Sequence, residues 1–442
     1  MSRQLGAAAY AAVVLLALAP ARMGRADPTT RPAELLTPRS AAEEAIRANP
    51  DLRAARAAVD AARARLAQAA RWPNPELGVS GASDWVFANE GERRLDVEVA
   101  QPLPVAGRLV RAREAARVDV EIAVAEAREF ERTLIAEVSG RVAAIGALAR
   151  SIESRDRMIM SARDLARIAA RRLAAAEISE ADLNLLEIEL ARFEQERRLL
   201  TLERAALEAR LAAQLYRPPG APLAVADDLD TALFAPAPGS DLLAAALVRR
   251  PDLQRLRLEA ERARAEARLA RAEAWEDWSV GASYARERSA IDDAGLELVD
   301  RDNLVGVALR APLPLWNRNQ GRIAAALAEG RRAGDRVAAL ERTIRAEVEA
   351  AQQRVAGLAG VAHEYREALL PRSERNVELL AQAYRQGLAP ITALVQAQQQ
   401  LAETSVRYAE TLGELRRAEV ELETAAAASP LLSDAGSQEP RP

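Results

Sequence analysis

The residues able to do chemistry in this chain are few and poorly spaced for it. Histidine occurs once, at His363, and cysteine is absent. That removes histidine triads, thiol nucleophiles, thiolate metal sites and disulfides. Met158 and Met160 lie two positions apart, so on a helix they face different ways and form no soft-metal box. No glycine-rich phosphate loop occurs. Acids are plentiful, but they alternate with arginine at helix-surface spacing, as i,i+4 partners rather than as an acid–base pair. Every basic residue is Arg, and no basic patch stands apart from acids, so no nucleic-acid partner is expected. The reading is of a protein that is not an enzyme, with no catalytic residue, metal site or cofactor.

What remains is architecture. Hydrophobic residues make up 50% of the 442, yet aromatics only 3%. Ala, Leu, Glu and Arg dominate, the composition of long helices packed through small side chains. Residues 1–26 read as a secretory signal: Arg3, an apolar run from Ala7 to Ala19, then small residues that fit cleavage after Ala21 or, preferably, Ala26. No later stretch is apolar enough for a membrane-spanning helix, so any span must be built from strands.

The chain is written twice. Pro50-Asp51-Leu52 returns as Pro251-Asp252-Leu253, and Pro102-Leu103-Pro104 as Pro312-Leu313-Pro314. Arg132-Thr133-Leu134 returns as Arg342-Thr343-Ile344. The spacing grows between the first and second pairs, which places an insertion, expected as a surface loop, at Ser289 to Arg301. The predicted units are repeat 1 over 27–216, a Pro/Gly-rich linker at 217–240, repeat 2 over 241–427 and a flexible tail at 428–442. Each repeat holds a helix (41–71, 241–275), a β-hairpin (76–101, 278–311), a long helix (104–176, 314–386) and a return helix (178–216, 391–427). The hairpin loops carry Asn89, Glu90 and Gly91 in one copy and Asp292, Asp293 and Gly295 in the other. At 1.5 Å per residue each long helix reaches roughly 105 Å, and two shorter helices stacked end to end match it. Pro371 should kink or unwind the second one.

The strands need about 9–11 residues each to cross a bilayer, and the alternation Leu95, Val97, Val99 and Val305, Val307, Leu309 supplies it. Four strands cannot seal their own edges in lipid. Two copies would give a barrel filled with side chains, and three an open one, so a homotrimer with a 12-stranded barrel is expected. Trp72, Trp275 and Trp278 sit where helix meets strand, placed for packing or for anchoring at a lipid interface.

Two stretches, AQPLPVAGR (Ala100 to Arg108) and APLPLWNRNQGRIAAA (Ala311 to Ala326), resemble the outer-membrane efflux factors (TolC-like). The likeness covers nearly the whole mature chain. Within the family it is most similar to the heavy-metal subgroup, the outer component of cobalt–zinc–cadmium exporters. The carrying residues are Gln101, Pro102, Pro104, Gly107 and Arg108, then Pro312, Pro314, Asn317, Arg318, Asn319, Gln320 and Gly321. Pro at these places is read as ending a strand and starting a helix at its first position.

The resemblance implies a mostly α fold: a long antiparallel α-helical barrel in the periplasm below a small outer-membrane β part. It implies partners: a periplasmic adaptor (membrane fusion protein), an inner-membrane resistance-nodulation-division pump, and outer-membrane lipid. The adaptor would meet the tips, Glu177, Ile178 and Ser179 in one copy and Gly387, Leu388, Ala389, Pro390 and Thr392 in the other. Gly387 is read as a helix C′ residue, and Ser179 and Thr392 as N-caps. A pore constriction would involve Asp182, Glu187 and Gln396. The expected activity is passive export of small solutes, heavy-metal cations foremost. Alternatives are a duct for drug efflux or type I secretion, or a periplasmic coiled-coil scaffold or adaptor.

Overall fold

The structure is a computed structural model that describes residues 35–84, 92–218, 220–221, 223–226, 229–233, 241–293 and 296–431, with no account of the side chains of 290–299. The signal segment, the loop residues Asn89, Glu90, Gly91 and Gly295, much of the linker and residues 432–442 lie outside that set.

Each repeat opens with a helix broken once. Helices α1 (Pro38–Ala48) and α2 (Pro50–Ala69) replace the single helix expected over 41–71. Proline pushes the residue before it out of the helical region. Asn49 therefore takes extended backbone (φ −67°, ψ 119°), ends α1 and caps α2, its Oδ1 accepting from the amides of Asp51 and Leu52. The second copy repeats this at Arg250 and Pro251, between α5 (Leu242–Arg249) and α6 (Pro251–Ala272).

The long helices follow. α3 (Arg108–Ala174) is continuous over 67 residues, or ~100 Å. Its counterpart is interrupted: α7 (Gln320–Glu364), a five-residue π-turn (Tyr365–Leu369), then α8 (Leu370–Arg385). Arg342 follows Arg132 by 210 positions, whereas Gly387 follows Ala176 by 211. The π-turn absorbs that one extra residue, and Pro371, which has no amide to donate, sits just beyond it. The return helices α4 (Glu180–Gln214) and α9 (Ile391–Ala425) have 35 residues each.

Helix α3 packs against α4, α6, α9 and α2, and α7 against α6 and α9. The core is a chain of small clusters spaced along the bundle. One gathers Leu52, Val138, Ile145 and Leu211. A second gathers Leu253, Ile344 and Val348. A third, near the tips, holds Leu165, Leu186, Tyr384 and Leu394. Alanine and glycine set the helix spacing: a Cβ on Gly413 of α9 would lie 2.5 Å from Ala147 Cβ on α3.

The linker is tied down where it is described. Arg217 forms a double hydrogen bond to Glu44 at 2.7 and 2.6 Å, and Leu36 bridges Val225. Arg416 donates to the Leu229 carbonyl at 2.9 Å, and the Leu233 amide donates to Glu419 at 2.7 Å. Ser429 is buried, so packing extends into the segment expected to fray.

Candidate functional site

The four strands form one antiparallel sheet in the order β1 (Glu76–Ser83), β2 (Arg93–Leu103), β3 (Trp278–Asp293), β4 (Leu296–Arg310). Most of the insertion expected as a loop at Ser289 to Arg301 is instead paired strand, over 289–293 and 296–301, with Ser289 opposite Asp300 and Asp292 opposite Glu297. The second hairpin thus outgrows the first, its strands 16 and 15 residues long against 8 and 11, beyond the 9–11 expected.

Strand register sorts the side chains into two faces. One carries Leu77, Val79, Leu95, Val97, Val99, Val280, Tyr284, Val305, Val307 and Leu309. The other carries Glu76, Asp96, Glu98 and Ser283, with Gly78, Gly281 and Gly306. The apolar face is the more exposed: Val305 and Val307 are each 82% accessible, while Gly281 and Ala285 on the opposite face are buried. A sheet in water does the reverse. Strands β1 and β4 each have one unpaired edge.

The two strand-to-helix turns stand at one end of this sheet. In the first, Gln101 donates to the carbonyls of Pro73 and Pro102 at 3.1 and 2.9 Å, and Pro102 stays in the ladder opposite Ser279. Pro104 does not begin a helix. Ala106 and Gly107 intervene with left-handed backbone (φ 56° and 69°), and α3 starts at Arg108, whose guanidinium meets Asp277 at 2.5 Å. In the second turn Pro312 and Pro314 likewise precede an irregular segment, and α7 starts at Gln320. Asn317 Oδ1 accepts from the Asn319 amide, and Gln320 Oε1 from the Arg318 amide. Arg318 reaches back to the Pro314 carbonyl, and Asn319, itself left-handed (φ 57°), donates to the Ala270 carbonyl of α6. Gly321 lies in the first turn of α7 with open space around it. The correction is the same in both copies: a left-handed residue, not proline, redirects the chain from strand to helix. Trp72 and Trp275 are exposed at this level, and Trp316 is 86% exposed; the sequence reading passed Trp316 over.

At the far end of the bundle the two tips close alike. Ala176 and Gly387 both take left-handed backbone (φ 58° and 76°). The Glu177 amide bonds to the Arg172 carbonyl and that of Ala176 to Leu173; Leu388 and Gly387 repeat the pair with Ala383 and Tyr384. This is the Schellman closure, with alanine where the second copy has glycine. Ser179 caps α4 in a reciprocal box with Asp182. Thr392 is not a cap: Pro390 occupies the cap position of α9 and Thr392 is the second helical residue. Arg172 joins the copies. It contacts Glu177 at 3.0 Å, donates to the Tyr384 carbonyl at 2.9 Å and stacks 5.0 Å over the Tyr384 ring. Burial raises the Tyr384 phenol above its ordinary value. Ile178 and Ala389 are half-buried, and Leu388 is 77% exposed. Of the three constriction residues, Asp182 is engaged in the cap, and Glu187 and Gln396 are exposed; no hydrogen bond links the three.

The outer membrane efflux protein family matches residues 41–216 and 242–428. The chain belongs to that family. No curated protein matches it by sequence. Among solved structures it is similar to CusC at 17% identity and TM-score 0.72, covering 88% of this chain and 92% of that one. It is similar to the outer-membrane channel OprN at 18% identity and TM-score 0.72, covering 89% and 90%. The open state of the Neisseria gonorrhoeae MtrE outer membrane channel matches at 15% identity and TM-score 0.70, covering 88% of each chain. These establish the fold: mostly helical, with four antiparallel strands and two repeats.

In this outer membrane efflux protein some polar groups within the bundle escaped the sequence reading. Arg155 is half-buried between Glu196 at 3.0 Å and the Phe193 ring at 5.6 Å, and burial lowers its guanidinium. Buried Glu189 accepts from Gln399 at 2.8 Å. Arg250 is buried between Asp252 and Glu347; burial opposes its charge, but the hydrogen bonds to both carboxylates outweigh that and raise it. Among the described residues no helix is long and apolar enough to cross a membrane, and no group of three or more His, Asp or Glu could hold a metal.

Proposed function

We propose that this chain is one protomer of a homotrimeric duct that spans the outer membrane as a 12-stranded barrel and continues through the periplasm as a helical tunnel. The observation that carries this is the sheet: its apolar face is the exposed one, and both edge strands lack a partner. In lipid each unpaired backbone group costs several kcal/mol, so neighbouring copies must join β4 of one to β1 of the next. The exposed Trp72, Trp275 and Trp316 fit an interfacial girdle at the periplasmic leaflet.

The duct is passive and exports small solutes, heavy-metal cations foremost, for a periplasmic adaptor and a resistance-nodulation-division pump. The metal assignment rests on the Pro-Leu-Trp-Asn-Arg-Asn-Gln-Gly turn at Pro314 to Gly321, whose polar residues knit that turn. Selectivity then lies in the pump. The adaptor docks at the tips, where Leu388 offers an exposed apolar contact. Residues 1–26 direct export and are removed.

Fractionation tests the first part: the mature chain should enter the outer membrane as a detergent-requiring trimer, and a monomer soluble without detergent overturns the reading. Deletion tests the second. Susceptibility to Zn²⁺, Co²⁺, Ni²⁺ or Cu⁺ should rise in the deletion strain; a rise confined to drugs, or loss of a secreted protein, assigns the duct elsewhere.

A further inference from the structure

The apolar face of the sheet ends, at the hairpin-turn end, in a tier of arginines. Arg93 of β2 stands opposite Arg288 of β3, and Arg288 opposite Arg301 of β4. Directly opposite residues share a face, and alternation puts these three on the face of Leu95, Val97 and Val99. Arg286, opposite Leu95, lies one step nearer the apolar band on the same face. Directly opposite like charges have Cβ atoms roughly 5 Å apart and destabilise a sheet.

None of these four arginines forms an ion pair among the described residues, although acids stand close by. On the other face Arg94 is fully engaged: it contacts Asp96 at 2.8 Å and Glu287 at 3.9 Å. Among the described residues, then, the arginine on one face is neutralised and the row on the other has no acidic partner. Beside the row lies a shallow basin of about 850 Å³, bordered by the small residues Gly81, Ala82 and Ser83 of β1 and by the paired Arg94 and Glu287, whose charges offset each other. Below the row the band from Asn303 to Leu309 of β4 rises roughly 20 Å along the strand.

We propose that Arg93, Arg286, Arg288 and Arg301 bind the phosphates of the phosphorylated glycolipid that forms the outer leaflet, its acyl chains lying along Leu95, Val97, Tyr284 and Val305. This rests on the barrel reading, which turns the apolar face to lipid and the hairpin ends outward. Guanidinium groups take phosphate oxygens in bidentate fashion, and a shared dianion removes the repulsion along the row. A phosphate set between guanidiniums at the end of an apolar strip needs a ligand that is anionic and acylated. Inorganic phosphate satisfies only the first condition.

Native mass spectrometry of the full mature trimer in detergent tests this with three probes: bisphosphorylated lipid A, the same lipid A dephosphorylated, and inorganic phosphate. Bisphosphorylated lipid should bind about tenfold tighter than the dephosphorylated form. The triple variant R93Q/R288Q/R301Q should lose that preference, the triple lysine variant R93K/R288K/R301K should keep part of it, and R331Q, on α7, should leave it unchanged. Equal binding of the two lipids by the native chain overturns the inference, as does a preference that survives in the glutamine variant. Full displacement of the lipid by millimolar inorganic phosphate assigns the row to free anions and overturns the lipid assignment. Should the glutamine variant fail to assemble, the two-lipid comparison on the native chain and the lysine variant still decide. A native chain absent from the outer membrane fails the barrel reading itself, whereas a trimer there without phosphate preference fails only this inference.

Discussion

The two repeats solve the same problem with different residues, and their lengths differ most at the hairpins and by only one residue within the long helices. Both break the first helix before proline, at Asn49 and at Arg250. Both return helices have 35 residues. Yet the hairpins differ by several residues per strand, one long helix is continuous where the other carries a π-turn, and one tip is capped by Ser179 where the other has Pro390. Helices packed side by side share a repeat length, so a change in the middle of one must be absorbed locally or propagate through the bundle. The single extra residue of the second copy is absorbed by the π-turn Tyr365–Leu369. Hairpin ends have no such neighbours and are free to lengthen.

The largest expected effect separates the two faces of the sheet. Val307→Arg places a charge on the apolar face and should cost ~2–4 kcal/mol per protomer if that face meets lipid. Glu98→Gln on the opposite face should cost little. The check is the yield of heat-modifiable trimer in outer membranes; equal yields would remove the distinction between the faces.

Next comes the helix spacing. Gly413→Ala sets a methyl group 2.5 Å from Ala147 Cβ, and overpacking of this kind costs about 1–3 kcal/mol. Gly334→Ala, at a glycine of α7 with open space around it, should be neutral or slightly stabilising. Thermal unfolding of the two variants in one detergent compares them directly.

The tips give a smaller, reciprocal pair. Gly387→Ala puts a Cβ on a left-handed residue and should destabilise by roughly 1 kcal/mol, while Ala176→Gly should relieve a similar strain in the first copy. Ser179→Ala removes a capping box and should cost about 1 kcal/mol, whereas Thr392→Ala, off the cap, should cost far less. Hydrogen exchange at the first turns of α4 and α9 reads both.

The smallest effect is one of pH. Burial raises the carboxyls of Glu131 and Glu423 above their ordinary value. The folded state therefore favours their protonated forms, so the contribution is fully present below the unfolded carboxylate value and is lost as pH rises through the folded one. Glu131→Gln and Glu423→Gln should each stabilise more at pH 7 than at pH 4. An equal effect at both values would show that the folded chain does not perturb these groups.

Much of this was legible in one dimension. The recurrence of Pro-Asp-Leu and Pro-Leu-Pro exposed the duplication, because a repeated fold needs the same backbone restrictions at the same places. The alternation of Leu95, Val97 and Val99 marked a strand, since period two is a local property. Gly387 marked a helix end because few other residues accept positive φ. Ala176, which adopts the same conformation, gave no such signal. The coupling of Arg172 to Tyr384 was also silent, since 212 residues separate them and either alone reads as an ordinary helix residue.

The sequence by itself determined the period of each element, the duplication and the scarcity of reactive groups, all consequences of residue type acting over a few neighbours. Tertiary structure alone decided where α3 and α7 begin, because Ala106 and Asn319 take left-handed backbone that their residue types do not require. It alone paired the inserted hairpin segment into strand, and it alone lined up Arg93, Arg288 and Arg301, since only strand register brings such distant residues onto one face.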